Sequence, residues 1–418
     1  MRVVFLTHRL PYAPNRGDRI RAYHLLRTLA TEHDVHLVSL VHDAQEAAEV
    51  DGLRSIARSV TAIPVSRPAR LAAAALSLAG DRPLTQVLLH SPAIHAALRS
   101  LIARERPEVA VAFCTAMARY TVEPAMSGVP WILDMVDVDS EKWRTMGQAS
   151  GPLAMIYRRE ARLLRAFERR AMSLASATTI VSERERTLLG QIAPGSASLV
   201  VPNGIDVQAF HPPGPPAETP DVIFCGVFNY GPNEAGARWL ATQVWPSVTR
   251  AVPGATLWLV GMHPTAAVRE LASDPTVRVT GAVPQVQPYL WRSALGAAPL
   301  QLARGIQNKV LEALAAGLPC VVTPPVLEGL PDAARPGCRV AADPAGFADA
   351  LIELLALPAA ERRRIAADAE LGRLGWGAQL APMLDLVRQA AAGSTTGGNS
   401  MNLEKFLLKR RGYRGDPL

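Results

Sequence analysis

The run Arg304-Gly305-Ile306-Gln307-Asn308-Lys309-Val310-Leu311-Glu312 sets a glycine before a helical pattern whose polar residues recur at helical spacing. Asn308 and Glu312 are four apart and Lys309 and Glu312 three apart, so they share a helix face while Val310, Leu311 and Leu314 point elsewhere. Glycine permits a tight or left-handed turn. The helix start after it aims free N–H groups and the positive end of its dipole at whatever lies in front. Lys309 offers an ammonium to a diphosphate, and Glu312 offers acceptors to ribose hydroxyls. The chemistry implied is a nucleotide-diphosphate cradle built from Arg304, Gly305, Gln307, Asn308, Lys309 and Glu312. An ordinary helix with a Lys–Glu surface ion pair fits the same spacing, so the surrounding elements must decide.

Those elements alternate. Short apolar, often β-branched runs (Val3 to Thr7, Val35 to Val41, Val60 to Val65, Val109 to Phe113, Trp131 to Val136, Thr178 to Val181, Leu199 to Val201) are separated by longer helical patterns. After the proline-rich stretch His211 to Pro216 a second series follows: Val222 to Cys225, Thr256 to Val260, Thr276 to Thr280, Gly296 to Leu300, Cys320 to Thr323 and Arg339 to Ala341. Such alternation predicts two α/β domains with mostly parallel, doubly wound sheets, and the proline-rich stretch reads as a stiff linker. Ligands of such sheets bind at the carboxyl ends of the strands, so the active site is expected between the two domains. The expected organisation is an N-terminal Rossmann-like domain over 1–205, a second over 206–375, a helix over 376–392 returning to the first, and a flexible basic tail over 393–418.

With 49% hydrophobic and 19% charged residues among 418, the chain is read as globular, not disordered. Its four cysteines, Cys114, Cys225, Cys320 and Cys338, are scattered without CxxC or Cys/His spacing and read as reduced core residues, not metal ligands. The first apolar run meets His8 and Arg9 too soon for a signal peptide or a membrane span, which points to the cytoplasm. A formal charge of +7 favours anionic partners such as nucleotide sugars or an anionic membrane surface. With aromatics at 5% and no nucleic-acid motif, nucleic acid is not expected. Neither GxGxxG nor GxxxxGK[ST] occurs, which weighs against a dehydrogenase or a P-loop NTPase.

The order of further motifs carries a resemblance. Val222 to Asn233, Leu257-Trp258-Leu259-Val260-Gly261, Val277 to Gly281, the Lys309/Glu312 helix, Glu328-Gly329-Leu330 and, earlier, Val201 to Asp206 together resemble the family-4 retaining glycosyltransferases of GT-B fold. Within that family Arg16 to Arg21, Asp134 to Trp143 and Gly305 to Glu312 look most like the sugar transferases associated with PEP-CTERM/exosortase and exopolysaccharide loci. The resemblance covers roughly residues 1 to 390. It implies two Rossmann-like domains facing a central cleft, and transfer of a sugar from a nucleotide-diphosphate sugar to a glycan or lipid-linked acceptor. Neither a cofactor nor a metal is implied. Lys309, Glu312 and Asp137 are the implied catalytic residues, with Gly226 and Asn229 added to the donor side. Arg16, Gly17, Asp137, Asp139 and Asn203 fall on the acceptor or phosphate side.

Two departures from the family stand out. Where it commonly has a first glutamate, eight positions before Glu312, this chain has Arg304. The loop Gly226 to Asn233 also lacks the arginine and lysine that often hold the diphosphate, leaving neutralisation to Lys309, Arg304 and helix N–H groups. Asp137-Val138-Asp139 could chelate a cation as a DxD pair, but Asp139 or Ser140 suits the N-cap of the next helix, and no metal is expected there. Arg158, Arg159, Arg162, Arg165, Arg169 and Arg170 make a basic helix with an apolar stripe, read as a solvated face or, more sharply, as a membrane-docking surface. A nucleotide-sugar epimerase of the same fold and a degenerate binding subunit are the alternatives to a transferase.

Overall fold

The computed structural model describes residues 1–12, 17–65, 73–75, 77–78, 80–122, 124–148, 151–303 and 306–393. Arg16, Arg304, Gly305 and the tail from 394 on lie outside the described residues. The chain divides into two compact units, Met1–Asn203 together with the chain from Gln379 on, and Gly204–Ala378.

The first unit is built on a parallel sheet of order β3-β2-β1-β4-β5-β6-β7. Its strands are β1 (Arg2–Thr7), β2 (Asp34–Val41), β3 (Ser59–Pro64), β4 (Val109–Phe113), β5 (Trp131–Asp134), β6 (Ala177–Ile180) and β7 (Ser198–Val200). β1 is central, with Val3 opposite Val35 on one side and Val109 on the other. Helices cover both faces of such a sheet, so its middle strands are apolar without alternation; every residue of β4 is buried. The helices used below are α1 (Gly17–Ala30), α2 (Leu84–Leu88), α3 (Asp139–Met146), α4 (Pro152–Leu174) and α5 (Glu183–Ile192).

The second unit repeats the plan with a parallel sheet of order β10-β9-β8-β11-β12-β13. These strands are β8 (Asp221–Cys225), β9 (Thr256–Val260), β10 (Val277–Gly281), β11 (Leu295–Ala298), β12 (Cys320–Val322) and β13 (Cys338–Val340). Its helices include α6 (Gly231–Trp239), α7 (Asn308–Ala315) and α8 (Ala359–Ala367). Trp245, Phe224, Phe228 and Phe347 are the largest fully buried apolar side chains in its core. The last helix, α9 (Trp376–Gly393), starts in this unit and is counted with the first from Gln379 on. Among the described residues no helix is long and apolar enough to cross a membrane.

Among the described residues the thirteen strands fall on the apolar runs of the sequence, within a few residues at their ends. The proline-rich stretch does not act as a linker. It lies inside the second unit, where the carbonyls of Gly214 and Ala217 accept from Arg363 and Arg362 of α8 at 3.0 and 2.9 Å. Proline removes N–H donors but leaves the carbonyls of such a stretch free to accept; Arg363 takes that of Gly214 within it, and Arg362 that of Ala217 just after it.

Candidate functional site

In the second unit the strand order reverses between β8 and β11. At such a switch the loops leave on opposite faces of the sheet and open a crevice at the strands' carboxyl ends. The loop after β8 is fixed from β9: the Gly226 and Phe228 N–H groups donate to the carbonyls of Val260 (3.0 Å) and Met262 (2.9 Å). Backbone meets backbone there. Gly261 has φ +147, and a Cβ on it would stand 1.9 Å from the Gly226 oxygen, so no larger residue fits. The loop feeds α6, whose first turn carries Pro232.

Asn233, in the same turn, is buried. Its Nδ2 donates to the Val227 carbonyl at 3.0 Å, and its Oδ1 accepts from Lys309 Nζ at 2.6 Å. The Lys309 ammonium also lies over the Phe224 ring, 4.9 Å from its centroid. Burial pulls the Lys309 pKa down to about 8, against the opposing pull of Cys225 and Glu312. Burial likewise pushes the Glu312 carboxyl up, with Lys309 opposing. Among the described residues no ion pair joins Lys309 to Glu312. The surface ion pair that the spacing also allowed is therefore not the arrangement found.

α7 begins after Gln307, which takes an extended cap conformation without a side-chain cap bond. Val310, Leu311 and Leu314 are buried, while Gln307, Lys309 and Glu312 are half-buried and Asn308 is exposed. The helix closes at Ala316-Gly317-Leu318: the Gly317 N–H donates to the Leu314 carbonyl, the Leu318 N–H to that of Ala313, and Gly317 has φ +80. This left-handed stop fixes where the helix ends, and so which side chains its first turn presents.

Of the residues singled out on the donor side, Gly226 lies against Asn233, which holds Lys309; Asn308, Lys309 and Glu312 share α7 with Gln307 at its cap, and Asn229 is exposed on the loop. Asn233 was not singled out. Its partner is 76 residues away, and the only local trace of it was an asparagine at the start of a helix after a glycine-bearing loop.

In the first unit the order reverses between β1 and β4. Gly17 is the first residue of α1. From α1 the Arg21 guanidinium grips Asp134 at the end of β5 through two parallel bonds of 2.9 Å, both side chains being buried. Arg21 Nη1 donates onward to Asn203 Oδ1 at 3.0 Å and the Pro202 carbonyl at 3.3 Å. Thr179 Oγ donates to Asp134 at 2.8 Å. Asn203 thus serves as an acceptor that fixes Arg21.

Beyond β5, Val136 takes a positive φ of 65, and Asp137 reaches the surface with its carboxyl raised by partial desolvation from the protein around it, against Lys142 and Arg21. Asp139 is raised to about 6 by burial and then by Asp137. The sequence placed a side-chain cap at Asp139 or Ser140. Instead Val138 holds the cap position of α3 with no cap bond from its own side chain. Glu168 of α4 accepts from the Ser140 N–H at 2.9 Å and from its hydroxyl at 2.5 Å, and Glu185 of α5 accepts from the Val138 N–H at 2.9 Å. Carboxylates brought by tertiary packing thus satisfy N–H groups of the helix start.

α4 buries Glu160, Leu164, Glu168 and Ala171. Arg158, Arg165 and Arg169 donate to the carbonyls of Gly147 (3.0 Å), Gln191 (2.9 Å) and Ile192 (2.9 Å), and Arg159 to those of Ser77, Gly80 and Arg82. Four of its arginines are therefore tied to neighbouring backbone. Leu153, Met155 and Leu174 of the same helix are exposed.

Residues 219–357, within the second unit, match the family described as Glycosyl transferases group 1. No curated protein sequence matches the chain. Solved structures resemble it along nearly its whole length. Sucrose-phosphate synthase (tll1590) from Thermosynechococcus elongatus is 16% identical with a TM-score of 0.60, covering 94% of this chain and 100% of that one. Anabaena Alr3699/HepE in complex with UDP is 13% identical with a TM-score of 0.59, covering 92% and 100%. An alpha,alpha-trehalose-phosphate synthase (UDP-forming) from Burkholderia vietnamiensis is 12% identical with a TM-score of 0.55, covering 93% and 100%. With two parallel α/β units and the group 1 match in the second, the chain has the GT-B glycosyltransferase fold.

Proposed function

We propose that the protein is a retaining glycosyltransferase that takes a sugar from a nucleotide-diphosphate sugar. The observation that carries this reading is the half-buried Lys309 ammonium in the first turn of α7 at the β8/β11 switch, one helical turn from Glu312. The loop after β8 has no cation of its own, and Lys309 brings one to it from α7. Lys309 and the helix N–H groups take up charge on the leaving diphosphate, Glu312 accepts from the ribose, and Gly226, Asn229, Gln307 and Asn308 line the donor. UDP and UDP-glucose in the Alr3699/HepE structures support a nucleotide sugar as the donor class. Arg304 and Gly305 belong to this side by the sequence reading.

In the reaction the acceptor oxygen bonds to the anomeric carbon on the face from which the diphosphate departs. The bond from that carbon to the phosphate oxygen breaks, and the acceptor proton passes to the leaving phosphate oxygen. Asp137, Asp139 and Asn203, with Gly17 at the start of α1, form the acceptor side, Asp137 orienting the attacking hydroxyl, and Arg16 belongs to this side by the sequence reading. The resemblance of Arg16 to Arg21, Asp134 to Trp143 and Gly305 to Glu312 to PEP-CTERM/exosortase and exopolysaccharide transferases supports a glycan or lipid-linked acceptor in exopolysaccharide synthesis. Exposed Leu153 and Met155 on the arginine-bearing α4 support contact with the inner face of a cytoplasmic membrane.

The purified protein is incubated with a panel of nucleotide sugars and membrane extract, with the nucleoside diphosphate released and the anomeric configuration of the product as readouts. Transfer with retained configuration is expected. Lys309→Met and Glu312→Gln should each lower kcat/KM about tenfold to a hundredfold. Isomerised nucleotide sugar, binding without turnover, or full activity in both variants refutes the assignment.

A further inference from the structure

We propose that Asn233 is a positioning residue for donor binding, holding the Lys309 ammonium where the diphosphate charge is met while leaving that charge uncancelled. The inference rests on the donor reading above and adds to it the device that fixes the cation.

A lysine side chain is a point charge on a flexible stem with many rotamers, so a binding site gains from a partner that selects one of them. Asn233 is such a partner. It is buried, its Nδ2 is committed to the Val227 carbonyl at 3.0 Å, and its amide carbon would stand 3.1 Å from a Cβ at Gly226. The acceptor oxygen it presents lies 2.6 Å from Lys309 Nζ. The second group against the ammonium is the Phe224 ring, also uncharged. A carboxylate at 233 would hold the lysine as firmly but would offset its charge before any anion arrived; an amide oxygen and a ring face orient it and leave it whole. The titratable groups acting on the ammonium are Cys225 of β8 and Glu312 of α7. Because its pKa sits near 8, donor affinity should fall as pH rises through that value and the ammonium loses its proton.

The test measures calorimetric Kd for the tightest binder among UDP, GDP and ADP from about pH 6.5 to about 9.5, a span that brackets the titration of a perturbed lysine. Wild type, Asn233→Leu, Asn233→Asp and Lys309→Met are compared, with circular dichroism confirming the fold. Asn233→Leu removes the acceptor, so Kd should rise about tenfold and its alkaline increase should move to lower pH. Asn233→Asp keeps shape and acceptor but adds a charge: Kd should rise at neutral pH while the alkaline limb moves to higher pH. Shifts of opposite sign from one position are not what mere loss of packing gives. If both variants keep the wild-type profile, or both shift it the same way, while Lys309→Met still weakens binding, the role of Asn233 is overturned and the donor site stands. If Lys309→Met binds like wild type, the donor reading fails and this inference with it.

Discussion

The Arg21–Asp134 pair permits a stability prediction with a worked magnitude. Both side chains are essentially inaccessible, at 1% and 0% exposure, so neither charge is compensated by water once its partner is gone. Asp134 takes two guanidinium bonds and the Thr179 hydroxyl; Arg21 reaches on to Asn203 and Pro202. Asp134→Asn preserves shape but turns an NH2 toward the guanidinium and leaves a buried cation unpaired. Breaking one partner of a buried pair costs about 3–5 kcal/mol, whereas replacing both with apolar residues of similar volume is close to neutral. For a unit of some two hundred residues this is a loss of about 6–20 °C in Tm. The assay is hydrogen exchange by mass spectrometry, following peptides of α1, β5 and β6, with the second unit as internal control. Protection should fall in Asp134→Asn, in Asp134→Leu and in Arg21→Met, and recover in Arg21→Met/Asp134→Leu. Additive single losses in the double variant would refute the reasoning, because they would mean that the two charges do not depend on each other.

Two further outcomes follow from the geometry. Gly261→Ala puts a methyl where the Gly226 oxygen already is, at a φ open to glycine, so the β8 and β9 loops must part and nucleoside-diphosphate binding should be lost while the protein remains folded; calorimetry with unchanged affinity would contradict this. Burial raises Glu168 to about 7, above its unfolded value of 4.5, so its stabilising contribution is fully present below about pH 4.5 and is lost as pH rises through about 7. Glu168→Gln can still accept from the Ser140 N–H and donate to its hydroxyl, so Tm against pH should be flatter than in wild type, with the gap widening in the variant's favour from pH 5 to pH 8. A gap that narrows over that range would reverse the sign of the argument.

The strands were legible because a sheet covered on both faces requires continuous apolar β-branched runs, and these stand out between helical patterns. Lys309 and Glu312 were legible because both lie on one helix, where spacing alone sets their common face. What spacing cannot encode is a partner from another element. Asn233 meets Lys309 across 76 residues, Asp134 meets Arg21 across 113, and the start of α3 is satisfied by Glu168 and Glu185 instead of by a local serine or aspartate. The same limit made the arginines of α4 look like a free basic face and the prolines before β8 look like a spacer. In both cases the deciding contacts are backbone carbonyls, which leave no mark on the sequence.

α4 carries a measurement. Glu160 accepts from the Leu84 and Thr85 N–H groups at the start of α2, and Glu168 does the same for Ser140 at the start of α3. Eight residues of helix separate the two carboxylates, a fixed interval of about 12 Å along one rod. The rod therefore works as a gauge block, setting how far apart two other helices begin. Substitutions on its outer side leave the gauge unchanged. A single residue inserted between the two marks would turn one by about 100° relative to the other and advance it by about 1.5 Å, so that only one of the two helices could keep its anchor.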